Sequence, residues 1–198
     1  MDKMTGNLCG FRAAFSIVEL LVVIAVILLL TSLTIPAFNS IAVGSNLNRS
    51  GQLVGDQISL ARLTAVTKNR EMQVRLFAMT NGMTKGWRGI QVWRIEQTPA
   101  GPTNIPSGRL MVFPEGIAVD PARSPLLGAD AAVTGTLSLP AYGTLAYCGF
   151  RFRATGSTDS SVTASKNYLT LQQVGTASSN FYTIQVNPIT GKTTVFRP

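Results

Sequence analysis

The chain has 198 residues, a length that suits one domain plus a membrane segment. Apolar residues make up 45% and charged residues 13%, and a net charge of +8 is spread thinly from Arg49 to Arg197; this argues against a nucleic-acid groove and for a soluble surface with a weak preference for anionic partners. Histidine is absent, which removes the commonest general base and metal ligand. No paired-acid or nucleophile arrangement takes its place, so an enzyme, a cofactor and a metal are all unexpected.

The two cysteines are Cys9 and Cys148. If Cys9 lies in a segment that is removed, Cys148 has no partner and no disulfide framework forms. A lipoprotein reading of Asn7-Leu8-Cys9-Gly10 fails because no apolar stretch precedes Cys9. The apolar run from Phe15 to Ile35 is 21 residues. As a helix it would rise about 31 Å, enough to span a hydrocarbon core. It carries one carboxylate, Glu19, just inside its N-terminal edge, and charges at that depth are expensive and kept for a purpose.

Three readings of this segment compete. A secretory signal peptide needs a small-residue cleavage site after the apolar stretch, whereas the sequence there continues in a helical pattern. A plain membrane anchor leaves Glu19 unexplained. Cleavage between Ala14 and Phe15 removes a hydrophilic leader bearing Lys3 and Arg12 and frees an amine at Phe15, four residues from Glu19. Positions four apart share a helix face. Ammonium and carboxylate can then neutralise each other, within one subunit or between neighbours, and so fix register.

Residues Ala14-Phe15-Ser16-Ile17-Val18-Glu19-Leu20-Leu21 resemble the cleavage and methylation motif of type IV prepilins and type II secretion pseudopilins. In such proteins a prepilin peptidase cuts before the phenylalanine and methylates the new amine. The departure is Ala14, where glycine is usual. Pro36 resembles the proline that often kinks the helix. The resemblance implies cleavage at Ala14/Phe15, N-methylation of Phe15 and an assembly role for Glu19. The implied partners are the peptidase, other pilin or pseudopilin subunits and the inner membrane, with the C-terminal domain in the periplasm.

The helical pattern continues past Pro36 to about Lys68, with Ile41, Leu47, Val54, Ile58, Ala61 and Ala65 as a broken apolar stripe. Gly44, Gly51 and Gly55 either mark a bend or allow close packing on a sheet, and packing is preferred. Lys68 and Arg70 suit a helix C-terminus. The period then changes to two. Residues 71–79 and 86–96 read as strands joined at Asn81-Gly82, a favoured hairpin dipeptide. Residues 97–108, rich in Pro and Gly, read as a loop, and 109–120 as two short strands around Pro114-Glu115-Gly116. Residues 121–147 resist assignment. The chain ends in strand-like segments, the last holding a hairpin at Asn187–Gly191. The expected architecture is α+β: a long N-terminal transmembrane helix on an antiparallel sheet of six to eight strands. The expected divisions are a leader at 1–14, a transmembrane or filament-core helix at 15–36, its continuation at 37–70 and a periplasmic sheet domain at 71–198.

Ala61-Arg62, Ala65, Lys68-Asn69-Arg70, Gly86-Trp87, Phe152, Gly156 and the terminal Gly191-Lys192 are similar to the GspH/FimT group of minor pseudopilins and pilins. A further likeness is to the prepilin-like Verru-Chthon cassette protein D group, whose members have no assigned activity. Gly-Lys-Thr at 191–193 is a hairpin turn and not a phosphate loop, because Val186 stands where the first glycine is required. Asn48-Arg49-Ser50 fits a glycosylation triplet, a frequent chance match.

Alternation in β-like residues 149–156 sends Arg151 and Arg153 to one face, and Lys192 and Arg197 are assigned to a neighbouring strand. These four are candidate nucleic-acid contacts, since some FimT-like pilins are associated with DNA capture. Trp87, Trp93, Tyr182 and Phe196 are expected in the core or packed on the sheet, and Cys148 as a small buried residue. The expected function is a minor pseudopilin-like structural subunit, with a DNA-binding minor pilin and a stationary membrane-anchored domain as alternatives.

Overall fold

The computed structural model describes residues 16–82, 84–128, 131–162, 166–175 and 180–198, and the backbone alone at 33–40, 81 and 84. The chain divides into two units, 1–41 and 42–198. Helix α1, Ile17–Thr67, is continuous in backbone through Pro36.

From Ile17 to Leu30 α1 presents apolar side chains on every side except at Glu19. Among the described residues no helix is long and apolar enough to cross a membrane. That departs from the expected span over 15–36. Of that span the side chains described run from Ser16 to Ser32 only. Phe15 lies outside the described residues, and so do the side chains of 33–36.

In the second unit α1 obeys its sequence stripe. Leu47, Val54, Ile58, Ala61 and Ala65 are buried, while Ile41, at the end of the first unit, is exposed. The helix stops in a Schellman turn. Asn69 adopts a left-handed φ of 47°, its N–H donates to Val66 O at 3.3 Å, and Arg70 N–H donates to Ala65 O at 3.1 Å. Asparagine tolerates that conformation better than a branched residue would.

Among the described residues ten strands form one antiparallel sheet. They are β1 Met72–Asn81, β2 Thr84–Thr98, β3 Gly101–Pro106, β4 Met111–Val112, β5 Ile117–Val119, β6 Val133–Leu139, β7 Gly143–Phe152, β8 Tyr168–Gln173, β9 Phe181–Val186 and β10 Thr193–Phe196. The order is β10-β9-β8-β5-β2-β1-β7-β6, with β3 and β4 also pairing β2. Single 3-10 turns at Pro121–Arg123 and Pro125–Leu127 connect β5 to β6. The α+β expectation holds, and the β1–β2 hairpin closes at Asn81↔Thr84 beside Gly82, φ 59°.

Two strands correct the sequence reading. Residues 101–106 are not loop: β3 pairs with β2 from Thr98↔Gly101 to Trp93↔Pro106. Proline is tolerated in a peripheral strand, where an N–H need not be donated to a neighbour. β6 falls in the unassigned stretch, with Val133, Leu137 and Leu139 inward and polar residues between.

Both sheet faces are covered. On the α1 face Val74, Leu76, Ile90, Val92, Phe150, Phe152, Ile184 and Val186 join the helix stripe in one core. On the other face Phe77, Met79, Trp93 and Leu145 form a second cluster with Leu110, Val112 and Tyr147 against them. At Gly51 the helix packs tightly on the sheet, because an added Cβ would lie 2.5 Å from Cε1 and Cγ of Tyr182 on β9. Gly44 and Gly55 face open space. The close-packing reading of the glycines therefore holds at Gly51 alone.

Two arginines are buried that periodicity did not single out. Arg88 is fully buried and donates to Ile117 O (2.9 Å), Phe113 O (3.1 Å) and Pro114 O (2.6 Å). It thereby satisfies the carbonyls of the β4–β5 connection. Arg75, 2% exposed, lies between the rings of Trp93 and Tyr147, 4.4 Å from each centroid, and donates to Gln73 Oε1. Burial lowers the pKa of both guanidinium groups, yet their usual range is so high that both stay charged at neutral pH.

Candidate functional site

Ala14 and Phe15, the expected cleavage and methylation positions, lie outside the described residues. The segment that follows is well defined. Ser16 stands just before α1, where its Oγ accepts from Val18 N–H at 3.3 Å and its carbonyl accepts from Leu20 N–H at 3.1 Å. Ser16 is thus the N-cap, and Glu19 occupies the third helical position. That Ser-x-x-Glu spacing matches a capping box, although among the described residues Glu19 returns no bond to the Ser16 N–H, and a carboxylate in the first turn meets the positive end of the helix dipole. Sequence reasoning passed over this spacing, although it stands just before an apolar run.

Beyond Glu19, the twelve valine, leucine and isoleucine side chains from Ile17 to Leu30 are 45% to 82% exposed. A helix apolar all round is stable only when something apolar surrounds it. The next two polar side chains hide their hydroxyls: Thr31 Oγ1 donates to Ile27 O at 2.7 Å and Ser32 Oγ to Leu29 O at 2.8 Å. Such back-bonding leaves no donor seeking water. Glu19 is exposed, and among the described residues it forms no ion pair. The arrangement is a greasy rod with one uncommitted charge near its start.

The four candidate nucleic-acid contacts do not share a strand pair. Five strands separate β7 from β10 in the sheet, which corrects the assignment of Lys192 and Arg197 to a strand neighbouring β7, although the turn that carries Lys192 packs on the turn after β7; hydrophobic alternation identifies strands but not their order. Arg151, half-buried, pairs with Glu71 at 3.2 Å and Asp159 at 3.6 Å. Burial raises the Asp159 pKa, while the Arg151 backbone N–H and charge act against the rise. Arg153 is exposed just past β7, and Lys192 is exposed in the β9–β10 turn. Arg197 reaches Asn48 Oδ1 on α1 and Asn180 Oδ1 at 3.5 Å, so it ties the chain end to the helix.

Residues of the second resemblance meet at one spot for packing reasons. Arg62 Nε donates to Thr190 O at 2.7 Å. Gly156 has φ 84° and Gly191 φ 66°. A Cβ on Gly191 would collide with the Gly156 carbonyl oxygen and approach Arg62 Cδ at 2.8 Å and Phe152 Cε1 at 2.9 Å. Thr158 N–H donates to Pro188 O at 2.8 Å. Helix, post-β7 turn and β9–β10 turn thus lock together.

Trp93 and Tyr182 are buried and Trp87 packs against the core, while Phe196 is 51% exposed on the margin strand β10. Phe196 is thus on the sheet and not in its core, since a four-residue margin strand has a neighbour on one side only. Cys148 is buried, its Sγ donating to Leu127 O at 3.4 Å, and burial raises its pKa. Among the described residues no group of three His, Cys, Asp or Glu is placed to hold a metal ion.

No protein-family model matches the chain, and no curated protein matches it either. Two solved structures, both of the minor pseudopilin EpsH from the type 2 secretion system of Vibrio cholerae, are similar to it. One has 13% identity and a TM-score of 0.45 over 77% of this chain and 98% of that one. The other has 13% identity and a TM-score of 0.48 over 79% and 96%. At that level of similarity, the residues themselves must carry any functional assignment.

Proposed function

We propose that this chain is a pilin-like structural subunit, a minor pseudopilin of a type II secretion or type IV pilus machine. Prepilin peptidase cuts it after Ala14 and methylates Phe15. The α1 segment holds it at the inner membrane with the sheet domain in the periplasm, then packs among neighbouring subunits in a filament. Its work is mechanical and requires no catalytic residue or cofactor. A single observation carries this reading: the run Ala14-Phe15-Ser16-Ile17-Val18-Glu19 leads directly into a helix whose every face is apolar and uncovered. In the sequence the hydrophilic leader, the acid and the apolar run fit the motif, with Ala14 in place of the usual glycine at the cut site.

The direct test is the mass of the mature chain after co-expression with a prepilin peptidase. The expected product begins at Phe15 and carries one added methyl group. An intact leader would overturn the proposal in favour of a stationary anchored domain. The companion test separates the two roles of Glu19. Glu19→Gln keeps an acceptor at the capping position, whereas Glu19→Ala loses both cap and charge. Both variants should be cut normally and both should fail to enter filaments with partner pilins. Normal incorporation of Glu19→Gln would show that the acid serves the helix cap alone.

A further inference from the structure

At the C-terminal end of α1 a cavity of about 390 Å³ opens between the helix, β1 and β2. Lys68, Arg70 and Arg94 line it with one carboxylate, Glu96, and with Thr64 and Ser107. Glu96 is largely committed: Arg70 Nη1 bonds its Oε1 at 2.8 Å, and Arg94 Nη2 stands 3.4 Å from its Oε2. The Arg70 hydrogen bond and then the Arg94 charge hold the Glu96 pKa below the usual carboxylate range, so it stays ionised at neutral pH and cannot relieve the excess by changing state. Two positive charges therefore remain uncompensated. Lys68 has no acidic partner among the described residues, and Arg94 Nε has no acceptor. The negative end of α1 offsets about half a charge at most, and its last carbonyls already accept N–H groups from Lys68, Asn69 and Arg70.

A second cavity of about 370 Å³ adjoins the first, sharing Arg70 and Glu96 and adding Asn69, Glu71 and Gln97. The Arg70–Glu96 bridge thus stands between a cationic compartment and one lined by amides and a second acid. A free inorganic anion would use only the first. A polypeptide can place a carboxylate in one compartment and backbone amides in the other.

We propose that this cleft docks an acidic side chain of a neighbouring polypeptide, with Lys68 and Arg94 as the charge-assisted donors to its carboxylate. The partner is a different chain, since a second copy would bring the same net charge of +8 and be repelled. The inference rests on the sheet domain alone and stands or falls separately from the role of Glu19.

The test uses the full chain, ¹⁵N-labelled in non-ionic detergent, titrated with an acetylated and amidated Gly-Glu-Glu-Gly peptide. Expected are saturable shifts at Lys68, Arg70, Arg94 and Ser107. Lys68→Gln with Arg94→Gln should weaken binding about tenfold or more, as losing a charge-assisted contact of about 1.4 kcal/mol or more implies. Arg49→Gln with Arg109→Gln, on exposed cations elsewhere, should change it less than about twofold by the same relation. The single variant Lys68→Glu, at an exposed position, should abolish the shifts without disturbing the fold. The proposal is overturned if a Gly-Gln-Gln-Gly peptide shifts the same residues equally, or if inorganic phosphate saturates them at lower concentration. Equal weakening by both double variants, or an absence of saturable shifts, would overturn it too.

Discussion

Replacing Gly51 with alanine sets two effects of known sign against each other. Alanine in place of glycine within a helix gains about 1 kcal/mol of propensity. The new methyl group would stand 2.5 Å from two ring atoms of Tyr182, which is itself buried, so the ring or the helix must shift by about an ångström. Overpacking of that kind costs about 1–3 kcal/mol, leaving a net loss of up to about 2 kcal/mol. Gly55→Ala lies one helical turn along, faces open space and should simply gain the propensity term. Comparing the two variants cancels propensity and isolates the contact at about 1–3 kcal/mol, or roughly 2–4 °C in Tm per kcal/mol. Thermal and urea unfolding followed by tryptophan fluorescence reads the sheet domain, because Trp93 is buried and Trp87 packs on the core. If Gly51→Ala is as stable as Gly55→Ala, close approach of α1 to β9 is not what glycine supplies there, and the packing argument is wrong.

Two further perturbations test the interior. Arg88→Met keeps the stem but removes donors from the carbonyls of Phe113, Pro114 and Ile117. Leaving buried acceptors unpaired should cost about 2–4 kcal/mol in urea unfolding, and a loss under about 0.5 kcal/mol would contradict the role given to this side chain. Cys148 tests burial through pH. Its thiol pKa is raised from an ordinary 9.0 by burial, so on raising the pH the unfolded chain loses its proton first. Wild-type stability should fall relative to Cys148→Ala as the pH climbs past about 9, and a flat difference between pH 8 and 10 would refute the burial argument.

Elements whose side chains alternate or repeat on one face were legible in the sequence. The stripe from Leu47 to Ala65, the Asn81-Gly82 hairpin and the two short strands either side of Pro114-Glu115-Gly116 all follow from periodicity and turn chemistry. β3 was hidden because Pro102 and Pro106 signal a loop unless the strand is known to lie at the periphery. Arg75 and Arg88 were hidden for a different reason. Periodicity ranks residues by polarity, whereas burial of an arginine depends on carbonyls and aromatic rings contributed by distant strands. Strand order was equally beyond reach: five strands lie between β7 and β10 in the sheet, yet the turns after β7 and β9 meet at Gly156 and Gly191. At the N-terminus the apolar run and Glu19 were plain, and the capping partner Ser16 was in view but unread.

A uniformly apolar helix such as residues 17–30 packs against similar helices with nearly equal energy in many axial positions, because one leucine-rich surface resembles another. Sliding by one turn, about 5.4 Å, exchanges aliphatic contacts for equivalent ones. In the proposed filament Glu19 would break that degeneracy. A carboxylate removed from water costs several kcal/mol unless it meets a cation, so every register that strands it is penalised and a register that pairs it is not. Thr31 and Ser32 add nothing to this selection, since their hydroxyls are already spent on Ile27 and Leu29 carbonyls. The penalty for wrong placement, more than any attraction in the right one, gives a lone acid at the start of such a helix the capacity to specify where its neighbour sits.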